Sequence, residues 1–107
     1  MEKVIKIDGK DVRFKANAAT ALVYRREFQK DLFDELSHID PKINSISGIQ
    51  TVYELAYIMA KQGDKSMDLS FEDWLDNFDV FPIEKVGAEV LQLWQKSNTG
   101  LSVPKNR

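Results

Sequence analysis

The fold depends on residues 49–62, which read IQTVYELAYIMAKQ. Apolar side chains recur there every three or four residues, the spacing of one face of a helix. The members of this stripe are Ile49, Val52, Tyr53, Ala56, Met59 and Ala60. The stripe is wide and carries few charges, which is typical of a helix that neighbours cover on several sides. We therefore predict a central, buried helix over about residues 49–62, with Gly63 as its C-cap.

Two short alternating runs near the start predict a β-hairpin over about residues 4–15. Its apolar positions alternate with charged ones and are Ile5, Ile7, Val12 and Phe14. An Asp8-Gly9 turn would place Ile5 opposite Val12. A Gly9-Lys10 turn would make two apolar cross-strand pairs, and we prefer that register for this reason. Those pairs are Ile7 with Val12 and Ile5 with Phe14.

Three further helices are predicted around the central one, from the same three- and four-residue spacing. They span about residues 20–37, 71–78, and 82 or 83 to 97. Asp40-Pro41 ends the first of them, and a polar loop over residues 42–48 follows. Ser70, with Asp73 three residues later, predicts the N-cap of the second.

These elements predict a mainly α (α+β) fold, a small bundle of about four helices with an N-terminal β-hairpin. The hairpin must pack on the bundle, because an isolated hairpin is marginal in water. The chain has 107 residues and a mass of 12.3 kDa, which is room for one domain. We expect residues 1–98 to form it and residues 99–107, which lack periodicity, to be a flexible C-terminal tail.

Composition argues against catalysis and against a metal or cofactor site. The chain has no cysteine and one histidine, His38, so it lacks a thiol nucleophile and any pair of imidazoles. A histidine in the last turn of a helix more often meets free carbonyl groups than a substrate. Residues 64–75 resemble a calcium-binding loop, but Leu69 and Leu75 stand where such a loop needs glycine and glutamate. We expect no catalytic residue, no metal and no cofactor.

The charge and hydropathy of the chain exclude two classes of partner. The net charge is −2, whereas nucleic-acid binders usually show a basic excess. No apolar run approaches the roughly 20 residues that span a bilayer, and the first ten residues lack the apolar region of a signal peptide. We expect a soluble cytoplasmic protein that binds neither nucleic acid nor membrane.

Charge is unevenly distributed along the chain. Residues 66–84 contain no Lys or Arg, but carry Asp68, Glu72, Asp73, Asp76, Asp79 and Glu84. The hairpin and first helix concentrate the basic residues Lys6, Lys10, Arg13, Lys15, Arg25 and Arg26. The two ends could meet within one chain. They could also meet between copies, head to tail, and such oligomers would weaken with salt.

Four stretches, in this order and spacing, resemble tail assembly chaperones of long-tailed bacteriophages and prophages of Gram-positive bacteria. They are the hairpin around residues 7–10, the helical segment 23–32 (VYRREFQKDL), residues 56–62 (AYIMAKQ), and residues 71–75 (FEDWL) with Phe78. The resemblance covers roughly residues 1–96.

The resemblance implies a non-catalytic protein. It would bind and solubilise the aggregation-prone tape measure protein and help recruit tail-tube protein, often through a longer frameshifted form. It would act in the host bacterial cytoplasm and be absent from the mature virion. Such a role needs accessible apolar surface and many copies on one client. We expect client or self-contact through Tyr24, Arg25, Arg26, Phe28, Phe33, Trp74 and Phe78.

A second interpretation stays open at the level of sequence. The chain could be a small non-catalytic regulatory or structural interaction module of a mobile element, such as a connector or a repressor-like domain. A DNA-binding version would need a recognition helix with exposed basic residues, and the first helix offers only Arg25 and Arg26.

Overall fold

The N-terminal hairpin is present, but in the register that we did not prefer. In the computed structural model, which describes residues 1–38 and 46–99, β1 (Glu2–Ile7) pairs antiparallel with β2 (Lys10–Lys15). Ile5 faces Val12, so the two-residue turn is Asp8-Gly9. Both turn residues have positive φ, 54° and 78°, as a type I′ turn requires. The predicted Gly9-Lys10 turn is wrong because it would force lysine, rather than the more tolerant aspartate, into that region.

The single helix predicted over residues 20–37 is two helices, α1 (Thr20–Phe28) and α2 (Leu32–Ser37). Gln29 ends α1 in the left-handed conformation, with φ of 59°. Asp31 then caps α2, because its carboxylate accepts hydrogen bonds from the next helix's first N–H groups. The break buries Leu32, which is 1% exposed, while the neighbouring Phe33 remains 54% exposed.

The central helix is confirmed as α3 (Ile46–Gly63), and it begins three residues earlier than predicted. Residues 46–48 are therefore helical, whereas residues 42–45 of the predicted loop lie outside the described part of the chain. From residue 51 to residue 60 every side chain except Tyr53 is buried. α3 contacts β2 and all the other helices, so it forms the centre of the core.

Two helices complete the described fold, α4 (Phe71–Leu75) and α5 (Ile83–Thr99). Ser70 caps α4 as predicted, with its hydroxyl oxygen accepting a hydrogen bond from the N–H of Asp73 at 3.2 Å. α4 ends three residues before its predicted end, and α5 continues two residues beyond its own predicted end. The α+β class and the hairpin are confirmed, but the described residues form five helices rather than about four. Residues 100–107 of the predicted tail lie outside the described part.

The hairpin packs on the C-terminal half of α3 at very short range. Its buried side chains are Ile5, Ile7 and Phe14. A Cβ atom on Gly63 would lie 2.2 Å from the carbonyl oxygen of Arg13, far inside any allowed contact. Gly63 is the last residue of α3 and lacks the positive φ of a left-handed C-cap. The glycine serves the close approach of β2 to α3, rather than the predicted cap.

Candidate functional site

An open cleft of about 630 Å³ lies between the hairpin and α4. Val4 of β1 and residues 10–13 of β2 form one wall, and α4 with the segment that follows it forms the other. The apolar side chains in the cleft include Val12, Ala60, Met67, Leu69, Trp74 and Phe78. Charged groups of both signs also line it, namely Lys10, Asp11, Arg13 and Asp64. A lining that mixes apolar side chains with charges of both signs suits an amphipathic binding partner.

Polar contacts hold the two walls of the cleft together at one end. The Lys10 ammonium donates a hydrogen bond to the carbonyl oxygen of Asn77 at 3.1 Å and lies 5.6 Å from the centre of the Phe78 ring. The backbone N–H of Asp79 donates to the carboxylate of Asp8 at 3.0 Å. The hairpin turn is thus joined to the segment that follows α4, which fixes the distance between the walls.

The segment between α3 and α4 carries the exposed apolar side of the cleft. The hydroxyl of Tyr57 donates a hydrogen bond to the backbone carbonyl of Leu69 at 2.5 Å, and burial raises the pKa of this tyrosine. The Leu69 side chain remains 39% exposed. Nearby, the hydroxyl and N–H of Ser66 donate to the carboxylate of Asp64 and lower its pKa. Asp64 is therefore anionic at neutral pH and keeps a negative charge at the cleft.

A cluster of aromatic rings supports the α4 wall. The ring of Trp74 packs against that of Phe78 at 5.3 Å and that of Phe81 at 5.9 Å between centroids, and the last two lie 5.7 Å apart. Trp74 also contacts Tyr57 of α3 at 5.8 Å. Tilted and edge-on ring pairs of this kind add to the stability from burial alone. The wall is therefore joined to the core through Trp74.

The seven residues predicted for partner contact do not form one surface. Tyr24 and Trp74 are buried, at 0% and 5% exposure, and act mainly within the core. Phe28 is half-buried and packs on Phe71 at 5.3 Å. Of the predicted aromatic residues, only Trp74 and the half-buried Phe78 line the cleft. The remaining predicted residues are Phe33, Arg25 and Arg26, which lie elsewhere.

A second apolar patch surrounds Phe33, outside the set of cleft residues. Its ring packs on Trp94 of α5 at 5.3 Å while more than half of the side chain stays exposed. Beside it, Leu36, Leu91 and Trp94 line a shallow depression of about 180 Å³. This depression is much smaller than the cleft, so we treat the cleft as the main candidate site.

Arg25 and Arg26 are exposed in the last turn of α1, where positive charge favours the helix dipole. Within residues 1–38 and 46–99 neither makes an ion pair. The hairpin cations differ, because Lys6 pairs with Asp11 at 3.8 Å and Arg13 pairs with Glu2 at 2.9 Å. None of the six acidic residues between positions 66 and 84 makes an ion pair with another described residue. The acidic segment is therefore a free negative surface.

A buried polar network around Glu54 was missed by the sequence analysis. Glu54 is 2% exposed, and its carboxylate accepts hydrogen bonds from the Tyr24 hydroxyl at 2.7 Å and the Lys30 ammonium at 3.0 Å. Gln50 donates to it at 3.1 Å. Burial, and then the bond to Glu54, raise the pKa of Tyr24. This network joins α1 to α3 within the core.

No group of three or more His, Cys, Asp or Glu side chains in the described residues is arranged to hold a metal ion. His38 stands at the end of α2, where its Nδ1 lies 2.8 Å from the carbonyl oxygen of Asp34. This is the contact with a free helix carbonyl that the sequence predicts. None of the helices in the described residues is both long and apolar enough to cross a membrane.

Comparisons with protein-family models, with curated proteins and with solved structures found no match to this chain.

Proposed function

We propose that this chain is a tail assembly chaperone of a long-tailed bacteriophage or prophage, with a binding role and no catalytic one. It binds the tape measure protein, keeps it soluble in the host bacterial cytoplasm, and leaves before the virion is complete. The sequence resemblance suggests this role. The structural feature that supports it best is the open cleft between the hairpin and α4, whose lining mixes apolar side chains with charged ones.

The chemistry of the cleft suits one face of an amphipathic helix. Apolar side chains of a client helix would contact Met67, Leu69 and Phe78, which are only partly buried in the free chain. Client charges beside the apolar face would meet Lys10 and Asp64 at the cleft. Since the cleft offers both signs of charge, it can accept helices of varied sequence, as a protein that coats a long client must.

One cleft of this size gives weak binding, and many copies on one client give strong binding. A long helical client presents repeated apolar faces, so that neighbouring chaperone copies act together and raise the overall affinity. Contacts between copies of this chain would strengthen the coat further. In this proposal a longer frameshifted form recruits tail-tube protein, and neither nucleic acid nor membrane is a partner.

The test is co-expression with the product of the next long downstream gene, the expected tape measure protein. The wild-type chain should move that product from the insoluble to the soluble fraction. Leu69→Glu places a charge in the cleft and should abolish this effect. Leu22→Glu is the matched control, because Leu22 is 69% exposed on α1 and does not line the cleft. It should behave like the wild type.

Three results would count against the proposal. If the wild-type chain leaves the client insoluble, the chaperone function is wrong. If Leu69→Glu solubilises the client as well as Leu22→Glu does, the client binds elsewhere and the cleft is wrongly assigned. Tight binding of duplex DNA at moderate salt would favour the repressor-like interpretation.

A further inference from the structure

The outer edge of β1 has no partner in the described part of the chain. In an antiparallel pair, hydrogen-bonded positions alternate with non-bonded ones, and Ile7–Lys10 is bonded because it closes the two-residue turn. The other bonded pairs are Ile5–Val12 and Lys3–Phe14. The backbone N–H and C=O groups of Glu2, Val4 and Lys6 therefore point away from β2. No residue within 1–38 or 46–99 forms a backbone hydrogen bond with them.

This edge is accessible to a second strand, whereas part of the β2 edge is covered by the end of α3. Val4 is 49% exposed, and the Lys6 and Glu2 side chains are 70% and 44% exposed. Beside β1, helix α5 contributes Glu89, which pairs with Lys3. The β2 edge, by contrast, meets the end of α3, where the Arg13 carbonyl lies against Gly63. An added strand could therefore reach β1 more easily than β2.

The β1 sequence is complementary to itself when it runs antiparallel. With Val4 opposite Val4 of a second copy, Glu2 lies opposite Lys6, and Lys6 lies opposite Glu2. In the same register, position 2 lies opposite position 6 of the second copy, position 4 opposite position 4, and position 6 opposite position 2. All three backbone positions that point away from β2 therefore fall in hydrogen-bonded pairs. A shift by one residue would lose both the charge pairs and these bonds.

We propose that β1 is a self-association edge at which two copies of this chain pair antiparallel about a two-fold axis at Val4. The two hairpins then form one four-stranded sheet. A row of four side chains crosses the solvent face of this sheet at Glu2. In order across the strands, it contains Lys15, Glu2, Lys6 of the second copy and Asp11 of the second copy, so its charges alternate in sign. The contact is isologous, as in most dimers. It does not depend on the proposed chaperone function.

Lysines on an exposed strand often protect the edge from pairing. Protection and self-association predict different charge patterns. A protective edge places like charges opposite each other and repels a second copy, whereas this edge places opposite charges together. The contact involves one strand from each copy, well below the roughly 1,200 Å² of a stable interface. The dimer should therefore be weak and should dissociate on dilution or at high salt.

The experiment is sedimentation equilibrium of the untagged chain at low salt, from about 10 μM to about 1 mM, the range expected for so small an interface. It compares the wild type, Glu2→Lys, Lys6→Glu and an equimolar mixture of the two variants. Each variant alone places like charges opposite each other twice. Its dimer dissociation constant should rise about tenfold. In the mixed dimer both pairs are again of opposite sign, so the mixture should associate as the wild type does.

Circular dichroism of each variant checks that the hairpin and helices remain folded, because both positions lie on the exposed face. Restored association in the mixture supports this register, since an effect on monomer folding alone could not produce it. The proposal is overturned if the wild type stays monomeric at the highest concentration. It is also overturned if the separate variants dimerise as well as the wild type, or if the mixture does not recover.

Discussion

Replacing Glu54 with alanine should destabilise the protein mainly through Tyr24, and less through Lys30. The Tyr24 side chain is fully buried, so without the carboxylate its hydroxyl proton loses its acceptor, which costs about 2 kcal/mol. The Lys30 side chain is 33% exposed and can turn to water, so its ion pair contributes less than about 1 kcal/mol. With the lost packing of one methylene group, Cγ, we expect a total loss of about 3 kcal/mol.

A double-mutant cycle with Tyr24→Phe separates these contributions. Tyr24→Phe alone should cost about 1 kcal/mol, because Lys30 and Gln50 still bind the Glu54 carboxylate. The double variant Glu54→Ala/Tyr24→Phe should then cost about 1.5 kcal/mol less than the sum of the single variants. The assay is urea denaturation at pH 7, with the free energy of unfolding obtained by linear extrapolation.

Additive effects, within about 0.5 kcal/mol, would refute the assignment of the stability to the Tyr24–Glu54 bond. If Glu54→Ala does not fold, Glu54→Leu can replace it in the cycle, because leucine fills the space without an oxygen acceptor. Glu54→Gln is a separate comparison. The amide of glutamine can still accept from the Tyr24 hydroxyl but removes the charge beside Lys30, so its smaller cost measures the ion pair.

Three other predictions concern the tyrosine pKa, the hairpin contact and the Phe33 patch. Folding raises the pKa of Tyr24 above its ordinary value of 10.0, so the unfolded chain loses the hydroxyl proton of Tyr24 at a lower pH than the folded chain does. The free energy of unfolding should therefore fall as pH rises above about 10. Urea titrations at pH 8 to 11 check this, and Tyr24→Phe should show a shallower fall. Gly63→Ala should lower stability by about 2 kcal/mol despite the better helix propensity of alanine; an unchanged or higher melting temperature would contradict the close approach of Arg13. Phe33→Ala should cost less than about 1 kcal/mol, because its ring is half-exposed, and should change tryptophan fluorescence through Trp94; a large loss of stability would show that Phe33 belongs to the core.

The helices were predictable where an apolar stripe continues through several turns. α3 follows directly from its spacing, and the Ser70 cap marks the start of α4. The break at Gln29 was not predictable from periodicity, because the apolar residues of α1 and α2 still fit one helical spacing across it. The break coincides with the left-handed Gln29, the local cap at Asp31 and the bond from Lys30 to the buried Glu54. The predicted hairpin register was wrong because counting apolar pairs ignored the positive φ that both turn positions need.

The candidate site was predictable only in part. Trp74 and Phe78 were named among the large apolar residues expected to serve client or self-contact, and both line the cleft. Met67 and Leu69 lie in a segment without periodicity, so no pattern marked them. Tyr24 belongs to the core because its hydroxyl has a buried carboxylate partner, and a single helical stripe cannot reveal a partner on another helix. A lone Glu54 among apolar residues was the one available signal of that partner.

The contact between Gly63 and the Arg13 carbonyl also affects how this protein can tolerate mutation. Every residue other than glycine carries a Cβ atom, so every missense change at this codon, whatever its chemistry, introduces a carbon 2.2 Å from a backbone oxygen. The backbone oxygen cannot rotate away as a side chain would, so β2 must move. β2 is one wall of the cleft and also holds β1 in place. We therefore expect alleles at this codon to be conditional, folded at low temperature and unfolded at high temperature, with the shape of the cleft and the stability lost together.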